Sequence, residues 1–219
     1  MEIIPIAYIE NDYKEKFGIP RQSGLVSLVS TLRFLPEFAD PNALRGLEDF
    51  SHIWLIWEFT AIDDQGTFSP TVRPPRLGGN VRKGVFGTRS PFRPNPLGLS
   101  VVKLEEIGYG YITVSGADLM DGTPVYDIKP YLKYIESIPD ASDGWSLATK
   151  DSLLTVCFPE ELLSVIPHDK RAGLIETLAQ DPRPQYQSAP ERIYTMSFGI
   201  YQISFYVDGD VLNVTSIQQ

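Results

Sequence analysis

The sequence contains a single cysteine, Cys157, and only two histidines, His52 and His168. One thiol excludes an internal disulfide framework and cannot by itself build a cysteine zinc site. Two histidines are too few for a histidine-rich metal centre, so no metal is expected. No apolar run is long enough to cross a bilayer. Glu2, Glu10, Asp12 and Glu15 interrupt the opening stretch to Pro20, which therefore does not read as a signal peptide, and the cytoplasm is the expected location. Repeats and low-complexity tracts are lacking. So are a Walker-type phosphate loop, a Gly-x-Gly-x-x-Gly turn after a strand, a Gly-x-Ser-x-Gly elbow, the kinase signatures, His-Glu-x-x-His and paired Cys-x-x-Cys. The familiar nucleotide-cofactor and metallohydrolase architectures are thereby set aside.

Acidic residues are missing from one long stretch in particular. From Gln65 to Leu104 there is no Asp or Glu, while Arg73, Arg76, Arg82, Lys83, Arg89, Arg93 and Lys103 all fall there. The whole chain nonetheless carries a formal charge of −9, from 19 basic and 28 acidic residues. That balance argues against indiscriminate polyanion binding, which rests on neutralising phosphates. Segregated charge can still present a positive face to an anion, and a solvated basic loop accounts for it equally well.

What is present reads as mainly β. Ile3–Ile9, Leu25–Leu35, Gly84–Thr88, Leu99–Ile107, Tyr111–Ser115 and Thr123–Ile128 are predicted strands separated by Gly and Pro. Phe50–Phe59 is so continuously apolar that it reads as a strand buried on both faces, with His52 as a hydrogen-bonded core residue. Short strands with turn signals between them predict a small antiparallel barrel over residues 1–140. Pro, Asp, Ser and Gly cluster at Ile138–Ser146 as a linker. Beyond it a small α+β domain, 147–219, is predicted. It has a strand at Leu153–Phe158 holding Cys157 as a buried thiol, and a short helix at Pro159–Val165. A second helix runs from Asp169, its N-cap, to Gln180, and two strands, Tyr194–Tyr206 and Val211–Ser216, turn at Asp208–Asp210.

Four segments carry candidate chemistry. Thr71–Ser100 is dense in Pro, Gly and Arg, so it can be neither a regular helix nor a central strand. Rigid prolines with permissive glycines bring backbone amides close to a ligand and fix the flanking arginines, which favours a binding loop over a solubilising one. Asp118–Tyr131 offers three carboxylates and an Asp121–Gly122 turn, with Asp127 and Lys129 on one face of a strand; an ordinary turn and a ligand site both fit. Tyr13–Gln22 reads as a basic, aromatic connection. Leu178–Tyr186 reads on its residues alone as a helix stop with an Asp181–Arg183 surface ion pair.

In this order, the runs FGIPRQ (Phe17–Gln22), RGLEDFSHIWLIWEF (Arg45–Phe59), PPRLGGNVRKGVFGTRSPFRPNPLGLS (Pro74–Ser100), DLMDGTPVYDIKPY (Asp118–Tyr131) and LAQDPRPQY (Leu178–Tyr186) strongly resemble the TsaA-like (TrmO/YaeB) family. The resemblance covers nearly the whole chain. It departs at Ala7 (Gly in the family), at Asn11–Asp12 (Ser-Pro) and at Thr60 (His). It implies a β-barrel, S-adenosylmethionine-dependent methyltransferase, homodimeric, acting on the N6 nitrogen of threonylcarbamoyladenosine beside the anticodon of tRNA, with neither DNA nor membrane as a partner. Carried over by position, Pro20, Arg21, Gln22, Phe59, Thr60, Arg89, Leu99, Asp118, Leu119, Asp121 and Gly122 would hold the cofactor. Arg89, Ser90, Arg93, Asn95 and Asp121 would line the reaction site, with Asp121 as a base for the acceptor nitrogen. Tyr13, Phe17, Asp181, Arg183 and Tyr186 would meet the modified base, and Arg93 or Arg183 would clamp its threonyl carboxylate. The rival expectations are a non-catalytic module binding S-adenosylmethionine or RNA, and a methyltransferase with another acceptor.

Overall fold

A computed structural model describes residues 2–62, 67–77, 79–149, 153–183 and 192–219. The first half is built on strands β1 (Ala7–Glu10), β2 (Val29–Phe34), β3 (His52–Glu58), β4 (Thr71–Val72), β5 (Lys83–Gly84), β6 (Leu97–Gly108), β7 (Tyr111–Ser115) and β8 (Pro124–Pro130). Six of them close a barrel in the order β1-β2-β7-β6-β3-β8, while β4 and β5 form a separate ribbon. All barrel pairs are antiparallel, and Ala7 opposite Val125 completes the ring. The barrel predicted from the spacing of short strands is borne out.

Alternation explains the core. In β3, Ile53, Leu55 and Trp57 are buried, whereas His52, Trp54 and Ile56 between them are half-buried. The expectation of a strand buried on both faces is therefore corrected. The outer aromatic row is covered only in part, by Tyr131 and by helix α1 (Lys133–Glu136), whose Glu136 accepts the Trp54 indole N–H at 2.8 Å. His52 sits in that outer row, hydrogen-bonded to Ser51 Oγ at 2.9 Å, and is not a core residue. The predicted strand at Gly84–Thr88 is only the tail of β5 followed by a 3-10 turn at Val85–Gly87. Asp127 and Lys129 do share a face and pair at 2.8 Å, with both side chains well exposed.

The second half packs helices α2 (Glu160–Leu163) and α3 (His168–Ala179) on a sheet of β9 (Thr155–Cys157), β10 (Tyr194–Phe198), β11 (Tyr201–Asp208) and β12 (Val211–Gln218), ordered β10-β11-β12-β9. The tail thus holds three strands where two were expected. Gly199, at φ +59°, turns the chain inside what reads as the single strand Tyr194–Tyr206. Strand β9 joins the sheet parallel to β12 as its edge, and Cys157 there is exposed, not buried. Helix α3 starts one residue before the expected cap. Pro167 precedes it without a side-chain cap, and Asp169 lies within its first turn, where a carboxylate suits the helix dipole.

Two apolar cores result, and one stretch of chain belongs to both halves. Tyr13, Val26 and Leu28, which leave and re-enter the barrel, are buried with Leu174, Leu178, Met196, Phe198 and Phe205 of the second core. The Tyr13 hydroxyl meets Thr177 Oγ1 at 3.1 Å, and Lys170 Nζ reaches Asp12 at 2.7 Å. Backbone amides of Ser27 and Ser197 donate to Glu176 and Glu15. Residues 12–28 are thus a strap stretched between barrel and sheet.

Candidate functional site

The strap carries one wall of a cavity of about 560 Å³ at the end of the barrel, closed by the ends of β3 and β6, the Thr88–Arg93 turn and the start of the Asp118–Thr123 segment. That size falls within the roughly 300–1,000 Å³ of small-molecule sites. The floor is aromatic. Trp57 faces Gly98 across the β3–β6 ladder, and a Cβ at Gly98 would fall on the indole carbons, so only glycine lets the ring lie there. Phe59 tilts against Trp57, with ring centroids 4.3 Å apart. The rim is basic, with Lys16, Arg21, Arg89 and Arg93, and Asp118 is the sole carboxylate among the described lining residues.

Most of the expected cofactor residues meet here: Pro20, Arg21, Gln22, Phe59, Thr60, Arg89, Leu99 and Asp118 all line the cavity. Arg89 donates to Gln22 Oε1 and so ties the Pro-rich segment to the strap. Arg21 donates to the carbonyls of Gln180 and Asp181 at 2.8 and 3.0 Å, fastening the strap to the end of α3. Arg93 also lines the cavity, but its guanidinium donates to the carbonyls of Thr88 (2.8 Å) and Val85 (3.2 Å) and lies over the Phe86 ring. It braces the turn that carries Arg89. Ser90 does similar work, its Oγ accepting the Phe92 amide at 3.3 Å.

Other expected residues lie elsewhere. Leu119 is fully buried in the barrel core. Asp121, the expected base, does not line the cavity: one oxygen accepts the Asn11 amide at 2.8 Å and the other pairs with Lys14 at 2.7 Å. Gly122, at φ +76°, makes the turn beside it, and Asn95 lies on the exposed stretch leading into β6. Tyr13 is 2% exposed and packs in the second core, which removes it from any contact surface. Phe17, Asp181 and Arg183 border a second cavity of about 540 Å³ between strap and α3. Arg183 spends its fork on Asp181, at 2.8 and 2.9 Å, so the bidentate grip expected for a ligand carboxylate is made within the protein. Tyr186 lies outside the described residues, as does Gly78 of the Pro-rich segment. No group of three His, Cys, Asp or Glu side chains is placed to hold a metal among the described residues.

Two residues escaped sequence reasoning. Trp57 lies within the Arg45–Phe59 run with no role attached to it, and Ser100 closes the Pro-rich segment. Ser100 follows Gly98 by two positions on the inward face of β6, diagonal to Trp57, and that small-x-small spacing opposite a tryptophan is the signal that could have found it.

Burial pushes the Asp118 carboxyl up, while the Ser100 hydroxyl and nearby Arg89 pull it down; the net shift is upward. A carboxyl raised in the folded state stabilises fully below the unfolded value of about 3.9, and that contribution is lost as pH rises through the folded value. The ionised form of Asp118 is therefore the one that opposes folding. Asp118→Asn is expected to melt higher than the parent near pH 7, with the gain shrinking towards pH ~4. Thermal melts at the two pH values check this, and a variant that melts lower at both refutes it.

Residues 8–137 match the family model of the tRNA-methyltransferase O N-terminal domain, and residues 153–219 that of the TrmO C-terminal domain. A tRNA (adenine(37)-N6)-methyltransferase of Escherichia coli K12 is 45% identical over 197 residues, covering 85% of this chain and 83% of that protein. A Pseudomonas aeruginosa protein, provisionally named an S-adenosylmethionine-dependent methyltransferase, is 45% identical over 201 residues, covering 88% of the chain and 86% of its own length. The crystal structure of TrmO from Pseudomonas aeruginosa superimposes with a TM-score of 0.81 at 33% identity, covering 100% of this chain and 99% of that one.

Proposed function

The chain belongs to the tRNA-methyltransferase O family, and from that membership we propose that it transfers a methyl group from S-adenosylmethionine to the N6 nitrogen of adenosine 37 in tRNA, the acceptor being threonylcarbamoyladenosine. The observation that carries this reading is the cavity: an aromatic floor, one carboxylate among the described lining residues and a basic rim, assembled from the segments that the resemblance assigns to the cofactor. Those residues suit the cofactor's chemistry. Trp57 and Phe59 offer faces to a cation or an adenine ring, Asp118 complements positive charge, and Arg89 and Arg21 complement a carboxylate.

When bound, the cofactor supplies an activated methyl group on a sulfonium. Held by the cavity residues, that methyl would pass to N6 while the sulfur kept the bonding pair and the N6 proton went to solvent. In-line transfer asks the protein mainly for alignment, which can supply about 7–11 kcal/mol in favourable cases. Strap, Arg89 turn and floor hold that alignment through the Arg89–Gln22 and Arg21–Gln180 contacts. The reading includes a homodimer acting in the cytoplasm. In support, Leu99 at the cavity is 55% exposed, with Phe92 and Leu97 beside it also exposed, a surface that suits burial against a second copy.

The test is transfer of labelled methyl to tRNA with and without the threonylcarbamoyl group, read by nucleoside mass spectrometry. One added methyl on the modified adenosine alone is expected. Cofactor binding with neither tRNA methylated would favour a binding module. Arg89→Ala should weaken cofactor binding about tenfold or more, as removal of a charge-assisted hydrogen bond does. Its melting temperature should stay near the parent's, because the side chain is exposed. Unchanged affinity by calorimetry would remove Arg89 from the site.

A further inference from the structure

Asp118 does not stand alone at the cavity wall. Its Oδ1 accepts the Ser100 hydroxyl at 2.5 Å, and Ser100 Oγ in turn accepts the Trp57 indole N–H at 3.0 Å. The direction of this chain is fixed by chemistry, since an indole nitrogen can only donate. Ser100 must take that proton's bond with a lone pair and turn its own proton to the carboxylate. Ser100 and Trp57 are 2% and 5% exposed, so neither exchanges these partners readily for water. The carboxylate is thereby aimed from behind, by a strand that also sets the floor.

The charge pattern says what it is aimed at. Among the described lining residues the basic side chains are Lys16, Arg21, Arg89 and Arg93, and the one carboxylate that could face a ligand cation is Asp118. Beside Asp118 stand the tilted rings of Trp57 and Phe59. Aromatic faces with a carboxylate are the combination that holds onium cations, whose charge is spread and poorly hydrated. We propose that Trp57, Phe59 and Asp118 form the subsite for the positively charged sulfonium of the methyl donor, and that Ser100 is the positioning residue that holds Asp118 to it. The inference rests on the methyltransferase reading and deepens it. It also gives the site a means of telling donor from spent product, because the thioether left after transfer has neither the charge nor the methyl.

The experiment is calorimetric binding of S-adenosylmethionine and of S-adenosylhomocysteine to the full chain, parent and variants, with melting temperatures recorded for each. The parent should prefer the sulfonium ligand. Asp118→Asn should bind it about tenfold more weakly while changing the thioether less than about threefold, as expected when a single charged interaction is removed. Ser100→Ala should lose part of the same preference and Ser100→Thr, which keeps the hydroxyl, should recover it. Phe59→Leu should narrow the preference without the folding risk of altering Trp57. Equal weakening of both ligands by Asp118→Asn would overturn the subsite, placing Asp118 on a part they share. An unchanged preference in Ser100→Ala would remove Ser100 from it. A parent that binds both ligands equally defeats the subsite alone, whereas a parent that binds neither defeats the methyltransferase reading itself.

Discussion

Gly98→Ala should both destabilise the fold and empty the site of affinity. A Cβ there would fall on three carbons of the Trp57 ring, and the ring is packed between Phe59 and the strand beneath it. Overpacking of this kind costs about 1–3 kcal/mol. At roughly 2–4 °C per kcal/mol for a chain of this length, the melting temperature should fall by several degrees. The displaced indole also breaks its bond to Ser100 and fills part of the cavity, so affinity for the methyl donor should drop at least about tenfold. Gly84→Ala is the control: a Cβ there meets nothing within 4 Å, and its φ of −58° suits any residue. Two variants that behave alike in melting and binding would refute this role for Gly98.

A chain ended at Asp140 should not yield a working barrel. Although the barrel closes on itself, Tyr13, Val26 and Leu28 of the strap are buried in the second core. Removing that core would expose them at a cost of roughly 1.5–3 kcal/mol per large apolar side chain. It would also remove the carbonyls of Gln180 and Asp181 that hold Arg21, and Glu176, which receives the Ser27 amide. The strap carries Pro20, Arg21 and Gln22 into the cavity, so donor binding should fall below detection and the fragment should self-associate. Sedimentation and calorimetry read both effects. A monomeric fragment binding the donor as tightly as the full chain would show that the strap holds its own shape.

The barrel was legible because β1, β2, β3 and β7 alternate buried and open positions and because Gly and Pro mark their ends. Local pattern misleads where tertiary covering departs from it. Phe50–Phe59 looks apolar throughout, yet only alternate residues enter the core, and the others rely on Tyr131 and α1. In the tail, Gly199 stands directly between Phe198 and Ile200, with no Pro, Asn or Asp beside it to announce its turn. Cys157 looks internal because β9 is apolar, but a parallel edge position is fixed by β12, nearly sixty residues later.

At the site, the loops were legible and the phase of their side chains was not. Asp118 and Asp121 are three residues apart on one turn, and composition cannot say which faces the ligand. The fold answers through Asn11 and Lys14, which occupy Asp121, and through Ser100, which takes Asp118. Arg183 likewise looks available in the sequence, but its neighbour Asp181, the only non-glycine residue at positive φ among those described, turns back to claim it.

The strap has a further meaning for the order of events as the chain is made. Its partners lie far downstream: Tyr13 meets Thr177, Asp12 meets Lys170, and Glu15 receives the amide of Ser197, separations of 164, 158 and 182 residues. Contacts so distant form late, after the entropy of closing a long loop has been met. On a ribosome adding about 5–20 residues per second, the barrel strands emerge many residues before α3 and β10 exist to grip the strap. The donor site is therefore among the last parts of the molecule to be assembled, and a nascent chain can hold a finished barrel while still unable to take up the methyl donor.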